Sequence, residues 1–238
     1  MHIPDGYIGL QTYGPAYGVM VVVWAAVSAR LKKTLKDRQI PLLALCAAFS
    51  FVIMMFNIPI PLPGKTTAHA VGAVLIAILL GPSAACVAVT IALVIQAFFF
   101  GDGGITAIGA NCFNMAFVMP FVGFGVYALL GGTRRGPSVF RPIAAGIAGY
   151  VGLNAAALLL AIQLGIQPLI AHDAAGKALY APYSLKVALA AVMAEHLLIA
   201  GVVEGIVTGL VVAYLQKAEP ALLGLRTNSS RPEGGAKQ

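Results

Sequence analysis

The chain has 238 residues, of which 60% are hydrophobic and only 10% are charged, and its mean hydropathy is +0.91. This balance excludes a water-soluble globular domain and is typical of a protein that crosses the lipid bilayer several times. The formal net charge of +7 does not indicate nucleic-acid binding, because the basic residues flank apolar runs instead of covering a soluble face.

In chain order, a short loop over residues 1–10 precedes seven apolar runs that predict membrane-spanning helices. Alternating prolines exclude a helix between the second and third runs, over residues 57–64. We predict an all-α helical bundle forming one membrane domain over residues 1–216 and a polar, disordered tail over residues 217–238. The predicted spans are about 12–29, 41–56, 67–80, 83–100, 107–130, 142–164 and 186–215.

The lysines and arginines predict the orientation in the membrane. With seven spans and the N-terminus outside, only Lys65, Lys177 and Lys186 lie outside, and the other 12 of the 15 basic residues lie inside. The positive-inside rule therefore predicts an outer N-terminus and a cytoplasmic C-terminus. No internal repeat of the kind found in alternating-access secondary transporters is visible.

The first two residues indicate a metal site. The start has no basic region and no small-residue cleavage pattern, so we do not expect a signal peptide, and the bulky His2 favours retention of Met1. The Met1 amine, the deprotonated His2 amide nitrogen and the His2 Nδ1 would close fused five- and six-membered chelate rings in one plane. Such a plane suits square-planar Ni(II) or Cu(II) and not tetrahedral zinc. The alternative is a frayed terminus without a function.

Other polar residues are expected at the same outer surface. His69 falls in the first turn of the third predicted span, where threonine hydroxyls would cap the helix start. Asp102 lies in a glycine-rich loop, and the helix start after this loop carries Asn111 and Asn114, whose amides are suited to orient ligand imidazoles. We therefore expect a pocket that is reached from outside and closed by the N-terminal segment.

Five stretches in the first half of the chain carry recognisable motifs: MHIPDG at 1–6, MMFNIPIP at 54–61, TTAHAVG at 66–72, QAFFFGDGG at 96–104 and GANCFNMAF at 109–117. In these motifs the chain resembles the NikM/CbiM group, and its NikM branch most closely. Proteins of this family are the substrate-binding (S) membrane subunits of energy-coupling-factor (ECF) nickel and cobalt transporters. The resemblance is close over about residues 1–130 and extends to the later spans by pattern.

The resemblance implies a bundle with an extra N-terminal helix in the cell (inner) membrane, and a metal held by the terminal amine, the second residue and a histidine in the third-span motif. Its implied partners are a coupling transmembrane (T) subunit, two ATPase subunits and a small NikN- or CbiN-like membrane subunit. No phosphate-binding Gly-x-x-x-x-Gly-Lys-Ser/Thr loop is present, so ATP hydrolysis is assigned to the partners and no enzyme activity to this chain. The implied ligands are Met1, His2 and His69, with Gln96, Asp102, Asn111 and Asn114 shaping the pocket.

The transported ion is predicted to be Ni(II), with Co(II) for cobalamin supply as the alternative and no cofactor. A standalone secondary metal transporter and a membrane enzyme using Glu195 and His196 remain open alternatives. These two residues and Glu204 lie in the seventh span, where ionisable groups are costly and often functional. Because Glu195 and His196 are adjacent, we expect them to point to different helix faces, toward neighbouring helices or partner subunits.

Three cysteines are also placed in apolar runs. Cys46, Cys86 and Cys112 have no metal-binding spacing, so we interpret them as small buried hydrophobic residues.

Overall fold

The computed structural model describes residues 1–59, 67–134 and 136–225, which form a helical bundle. A two-residue ladder joins β1 (Ile58–Pro59) to β2 (Thr67–Ala68) in antiparallel orientation. The α-helices are α1 (Leu10–Thr34), α2 (Ile40–Met54), α3 (Ala73–Leu80), α4 (Pro82–Ile95), α5 (Ile108–Asn111), α6 (Met119–Leu129), α7 (Phe140–Gly165), α8 (Gln167–Ile170), α9 (Leu185–Glu195) and α10 (Gly201–Ala218).

Some of these helices continue into π-helical segments. α4 continues as Gln96–Phe100, α5 as Cys112–Val118 and α9 as His196–Ala200. In a π-helix the backbone hydrogen bonds reach one residue further than in an α-helix, which widens the turn. Such segments are frequent at functional sites.

Within the described ranges, six helices are long and apolar enough to cross a membrane. They confirm the prediction of a polytopic helical membrane protein, and each coincides with one of the predicted spans. Their bounds are Leu10–Thr34, Asp37–Met54, Pro82–Phe100, Ile108–Leu129, Phe140–Ile170 and Leu185–Ala218.

The third predicted span is the exception. α3 has only eight residues, or about 12 Å of helix, and the chain before it is extended. The prediction that His69 lies in the first turn of a helix is therefore wrong, because His69 lies between β2 and α3. The backbone N–H groups of Val71 and Gly72 instead donate to the buried carboxylate of Glu204, so these donors are satisfied without a helical turn.

Gly72 fixes where α3 begins. It is the N-cap residue and has a φ of +73°, a conformation that a residue with a side chain rarely adopts. A Cβ at this position would also overlap the ring of Phe49 on α2. The turn at Gly72 therefore separates the extended segment that carries His69 from the helix that follows.

Hydrogen bonds mark the two ends of the bundle. At one end the backbone N–H of Gly9 donates to Gln167 at 3.0 Å, and at the other Gln216 donates to the Ser138 carbonyl at 3.2 Å. α7 runs between them with 26 residues, or about 39 Å. The extended segment and α3 together lead from the end near Gly9 to the opposite end of the bundle, where α4 begins. The N-terminal loop and the end of α10 consequently lie at opposite ends of the bundle.

The beginning of the tail differs from the disordered segment that we predict. α10 continues to Ala218, and a 3-10 turn at Pro220–Leu223 follows it. Leu223 packs against the core and Leu225 is buried. Residues 226–238, most of the proline-rich stretch (60–66) with Lys65, and Arg135 lie outside the described residues, so the predictions for them and for the domain boundary remain predictions.

The interpretation of the cysteines is confirmed. Cys46, Cys86 and Cys112 are buried and not disulfide-bonded, and all three belong to the hydrophobic core.

Candidate metal centre

The first residues of the chain lie inside the bundle as an extended insert. The Ile3 N–H donates to the Asn111 side-chain oxygen at 2.8 Å, and the Asn111 amide donates back to the Ile3 carbonyl at 3.1 Å. The same carbonyl also accepts from the Gly104 N–H at 2.8 Å. Ile3 is completely buried, so these bonds satisfy the backbone groups that burial removes from water.

Asp5 holds the insert from its exposed side. Its carboxylate accepts hydrogen bonds from the Thr106 hydroxyl and from the backbone N–H groups of Thr106 and Ile105. The Thr106 hydroxyl, followed by the two amides, holds the pKa of Asp5 below its usual value against the opposing effect of burial. Gly104 permits this close approach, because a Cβ there would overlap the Asp5 backbone.

The insert brings the Met1 amine to His69. The Met1 nitrogen lies 3.4 Å from His69 Nε2, and His69 Nδ1 lies 3.2 Å from the Ala70 carbonyl oxygen. Donation from Nδ1–H to that carbonyl leaves the Nε2 lone pair facing the amine. This is the usual arrangement of a metal-binding histidine, whose second nitrogen is held by a backbone or carboxylate oxygen.

His2 stacks on His69, with ring centroids 4.9 Å apart and an angle of 29° between the planes. Its Nε2 lies 3.2 Å from the Gln96 side-chain oxygen, and its Nδ1 lies 3.3 Å from an Asp102 carboxylate oxygen. We assign the proton to Nε2, because the Gln96 oxygen is an acceptor. The Nδ1 lone pair is then the one available to a metal ion, with Asp102 beside it.

Burial controls the protonation of these groups. It lowers the pKa of the Met1 amine, an effect opposed by the charges of Glu195 and Asp102. Burial and then the neighbouring terminal amine lower the pKa of His2 to about 3, although the Gln96 bond opposes them. The pKa of His69 is also lowered well below its usual value, mainly by burial. The site therefore favours uncharged nitrogen donors.

Burial has the opposite effect on the acidic neighbour. It raises the pKa of Asp102, and the charge of the terminal amine partly offsets this. A bound cation would favour the ionised carboxylate.

These groups face a cavity of about 350 Å³. Its wall includes Glu195 and His196, which the sequence analysis assigns to neighbouring helices or partner subunits. The two adjacent residues line the same cavity, at the point where α9 ends and the wider π-helical segment begins. No sequence signal reveals such a segment. The polar groups of the wall include those of Met1, His2, Asn57, His69, Asp102, Glu195 and His196.

The predicted pocket residues have different roles in the structure. Gln96 and Asp102 contact the His2 ring, whereas Asn111 bonds to the backbone of Ile3 instead of to an imidazole. Asn114 exchanges two hydrogen bonds with Gln163, at 2.7 and 3.1 Å.

In the part of the chain that the structure describes, no group of three or more His, Cys, Asp or Glu side chains is arranged to hold a metal ion. A metal centre at this place consequently depends on main-chain nitrogens. Its donors would be the terminal amine and the His2 amide in addition to the imidazoles.

The sequence matches a family profile described as “CbiM: Cobalt uptake substrate-specific transmembrane region” over residues 2–222. It is 55% identical to the “Fused nickel transport protein NikMN” of Rhodobacter capsulatus over 235 residues, or 98% of this chain and 67% of that protein. It is 44% identical to the “Probable fused nickel transport protein LarMN” of Lactiplantibacillus plantarum, over 94% of this chain and 66% of that protein. The chain thus spans about two thirds of these fused relatives.

An unfused relative and a solved structure match over most of their length. A putative metal transport protein of Methanocaldococcus jannaschii is 47% identical over 223 residues, or 93% of this chain and 94% of that protein. A crystal structure of a transition metal transporter aligns with a TM-score of 0.84 and 52% identity, over 91% of this chain and 93% of the other.

Proposed function

The chain belongs to the CbiM family of cobalt uptake substrate-specific transmembrane regions, and from this premise we propose that it captures Ni(II) for an ATP-driven ECF-type importer. It is a multi-pass membrane protein of nickel/cobalt transport. The ion would be held by four nitrogens: the Met1 amine, the His2 amide, the His2 Nδ1 and the His69 Nε2.

The observation that carries this proposal is the 3.4 Å approach of the Met1 nitrogen to His69 Nε2. The terminal amine lies beside the imidazole of His69, which is 68 positions further along the chain. The His2 amide is one peptide unit away from this amine. Three chained nitrogens and one separate imidazole complete a plane. Such a plane suits Ni(II), and equally Cu(II), by geometry and disfavours tetrahedral zinc.

The names of the relatives support nickel over cobalt as the cargo. Two fused proteins named for nickel transport are 55% and 44% identical to this chain. Two putative cobalt transport proteins of Methanocorpusculum labreanum are 32% and 30% identical. Co(II) in the same site is the second candidate, because the nitrogen donors also accept it.

The distribution of charge supports an outward-facing metal centre. Among the described residues, Lys177 and Lys186 lie in or next to the connection between α8 and α9, at the end that carries the metal centre. The opposite end carries Arg30, Lys32, Lys33, Lys36, Arg38, Arg134, Arg141 and Lys217. We assign that basic end to the cytoplasm by the positive-inside rule.

The proposed partners are a coupling transmembrane subunit, two ATPases and a small accessory membrane subunit. The fused relatives support the last of these, because about one third of their length lies outside the match to this chain. Uptake by proteoliposomes containing this chain alone would instead favour a standalone transporter, and turnover lost in Glu195→Gln would favour an enzyme.

Metal analysis of the purified protein tests the capture site. The chain with a free Met1 amine should bind one Ni(II) as a diamagnetic, square-planar complex, and acetylation of that amine should abolish this complex. His172→Gln is the matched control, because His172 is an exposed loop histidine. A protein with an acetylated Met1 amine that keeps the diamagnetic complex with unchanged affinity would refute the proposed ligand set.

A further inference from the structure

His196 has a ring nitrogen with no assigned use. The residue is 2% exposed and lines the same cavity as Met1 and His69. Its Nδ1 lies 2.8 Å from the Val192 carbonyl oxygen. Its Nε2 is buried and has no hydrogen-bond partner among the described residues, although a buried polar atom without a partner is costly and rare.

The geometry fixes the proton of this ring. A carbonyl oxygen only accepts, so the Nδ1 of His196 carries the hydrogen and Nε2 keeps its lone pair. His69 has the same arrangement, with Nδ1 held by the Ala70 carbonyl. Both rings therefore present a bare Nε2 while a backbone oxygen fixes their orientation, as in histidines that bind metals.

The two histidines also lie on adjacent segments. The π-helical segment His196–Ala200 packs against β2, which directly precedes His69. Glu195 borders the same cavity and is 5% exposed. A carboxylate at this place would balance the charge of a divalent ion between two neutral imidazoles.

We propose that His196 Nε2 is a transit ligand, which binds the ion together with His69 Nε2 after the Met1 amine releases it. This inference rests on the proposed capture function. As the ion leaves the plane, the His2 amide nitrogen regains a proton from solvent and the Met1–His2 chelate opens. His69 keeps its bond to the metal, His196 replaces the terminal nitrogens, and the Glu195 carboxylate supplies the negative charge that the amide no longer provides.

The transit position has two imidazoles as its protein ligands. No cluster of three His, Cys, Asp or Glu side chains able to hold an ion exists among the described residues. Two imidazoles with water as the remaining ligands bind more weakly than a tridentate chelate completed by a fourth nitrogen. Release toward the interior of the protein requires that the ion move from a tighter binding position to a weaker one.

The test removes the capture plane and looks for the second position. The test protein carries the extension Gly-Ser before Met1 together with the substitution His2→Gln. It should bind Co(II) as a paramagnetic complex, with lower affinity than the unmodified chain. Its proton NMR spectrum should show two strongly shifted imidazole N–H signals, one from His69 and one from His196. Adding His196→Asn should leave one signal and weaken Co(II) binding by about tenfold or more.

The asparagine keeps a donor for the Val192 carbonyl but lacks the Nε2 position, so it separates loss of the ligand from loss of folding. His172→Gln in the same background is the control and should leave both signals. Unchanged signals in His196→Asn, or no paramagnetic complex at all, would overturn the transit ligand. Neither result would affect the diamagnetic Ni(II) complex of the unmodified chain, which tests the capture site separately.

Discussion

The carboxylate of Glu204, in α10, accepts a 2.7 Å hydrogen bond from the backbone N–H of Val71. Its other oxygen accepts a 3.0 Å bond from the N–H of Gly72, and the carboxylate is almost completely buried. These bonds join the last membrane helix to the extended segment, two residues after His69. Glu204 is therefore expected to position His69, the proposed metal ligand, without contacting its ring.

Glu204→Gln should destabilise this segment. The amide has one oxygen for two neighbouring donors, and its NH₂ group would face an N–H. We expect a loss of about 1–3 kcal/mol in the free energy of unfolding in detergent, together with weaker Ni(II) binding because His69 moves. Glu219→Gln, at an exposed position just after α10, is the matched control. Equal stability of the two variants would contradict the positioning role.

Gly104→Ala should displace the N-terminal insert. The added Cβ would overlap the Asp5 backbone and carboxylate, so the insert cannot keep its hydrogen bonds. We expect Ni(II) affinity, measured by competition with a chelator, to fall by more than about tenfold, or about 1.4 kcal/mol. Gly18→Ala is the control, because a Cβ there meets nothing within 4 Å. If both variants bind equally, Gly104 has no part in closing the site.

The exchange of hydrogen bonds between Asn111 and Ile3 predicts that Asn111→Ala loosens the insert. The Ile3 N–H would lose its buried partner, at a cost of about 1–3 kcal/mol, whereas the Ile3 carbonyl keeps its bond from the Gly104 N–H. Hydrogen exchange at Ile3 should therefore accelerate, while exchange in α7 should not change. Asn114→Ala is the comparison, since Asn114 pairs with Gln163 instead of with the insert. Equal protection of Ile3 in both variants would argue against this docking bond.

The number of protons that metal capture releases should depend on pH. The His2 pKa of about 3 and the lowered pKa values of His69 and the Met1 amine favour neutral donors. The His2 amide then supplies the main proton that the metal displaces. The logarithm of the binding constant should rise by about one per pH unit while the amine is neutral. It should rise more steeply at lower pH, where the amine is protonated.

A free Met-His-Ile peptide provides the comparison for this measurement. Its amine and imidazole have ordinary pKa values of about 7.8 and 6.5, so both are protonated in mildly acidic solution and its slope should approach about three below pH 6. Titration calorimetry in buffers of different ionisation enthalpy counts the released protons directly. Identical slopes for the protein and the peptide would show that burial does not keep the donors neutral.

Much of the fold follows from local patterns. Runs of apolar residues predict the six long helices, since the length of a helix that crosses the bilayer is set by the thickness of the hydrocarbon core. The third span is different, because tertiary hydrogen bonds from Glu204 and the turn at Gly72 decide its conformation. Its apolar residues 73–80 form a helix as predicted. Nothing near Val71 and Gly72 in the sequence indicates that their N–H groups bind a carboxylate more than 130 residues away.

The candidate site, like the fold, is predictable from sequence only in part. The Met1–His2 start indicates a chelate because its donors are covalently linked, and the arrangement of His69 beside it requires only that both lie at one end of the bundle. The positions of Asn111 and His196 depend on which backbone atoms they reach and on a widened helical turn. Neither follows from residue type or spacing, so the sequence analysis assigns both residues different partners.

The π-helical segments have a consequence for movement inside a bilayer, where every backbone N–H and C=O must keep a partner. Gln96, which orients His2, and His196 each stand at the first residue of such a segment. Re-pairing a segment to α-helical bonds shifts the downstream register by one residue, or about 100° around the helix axis. Side chains at the candidate metal centre can thus rotate away from their neighbours without any helix unfolding in the lipid.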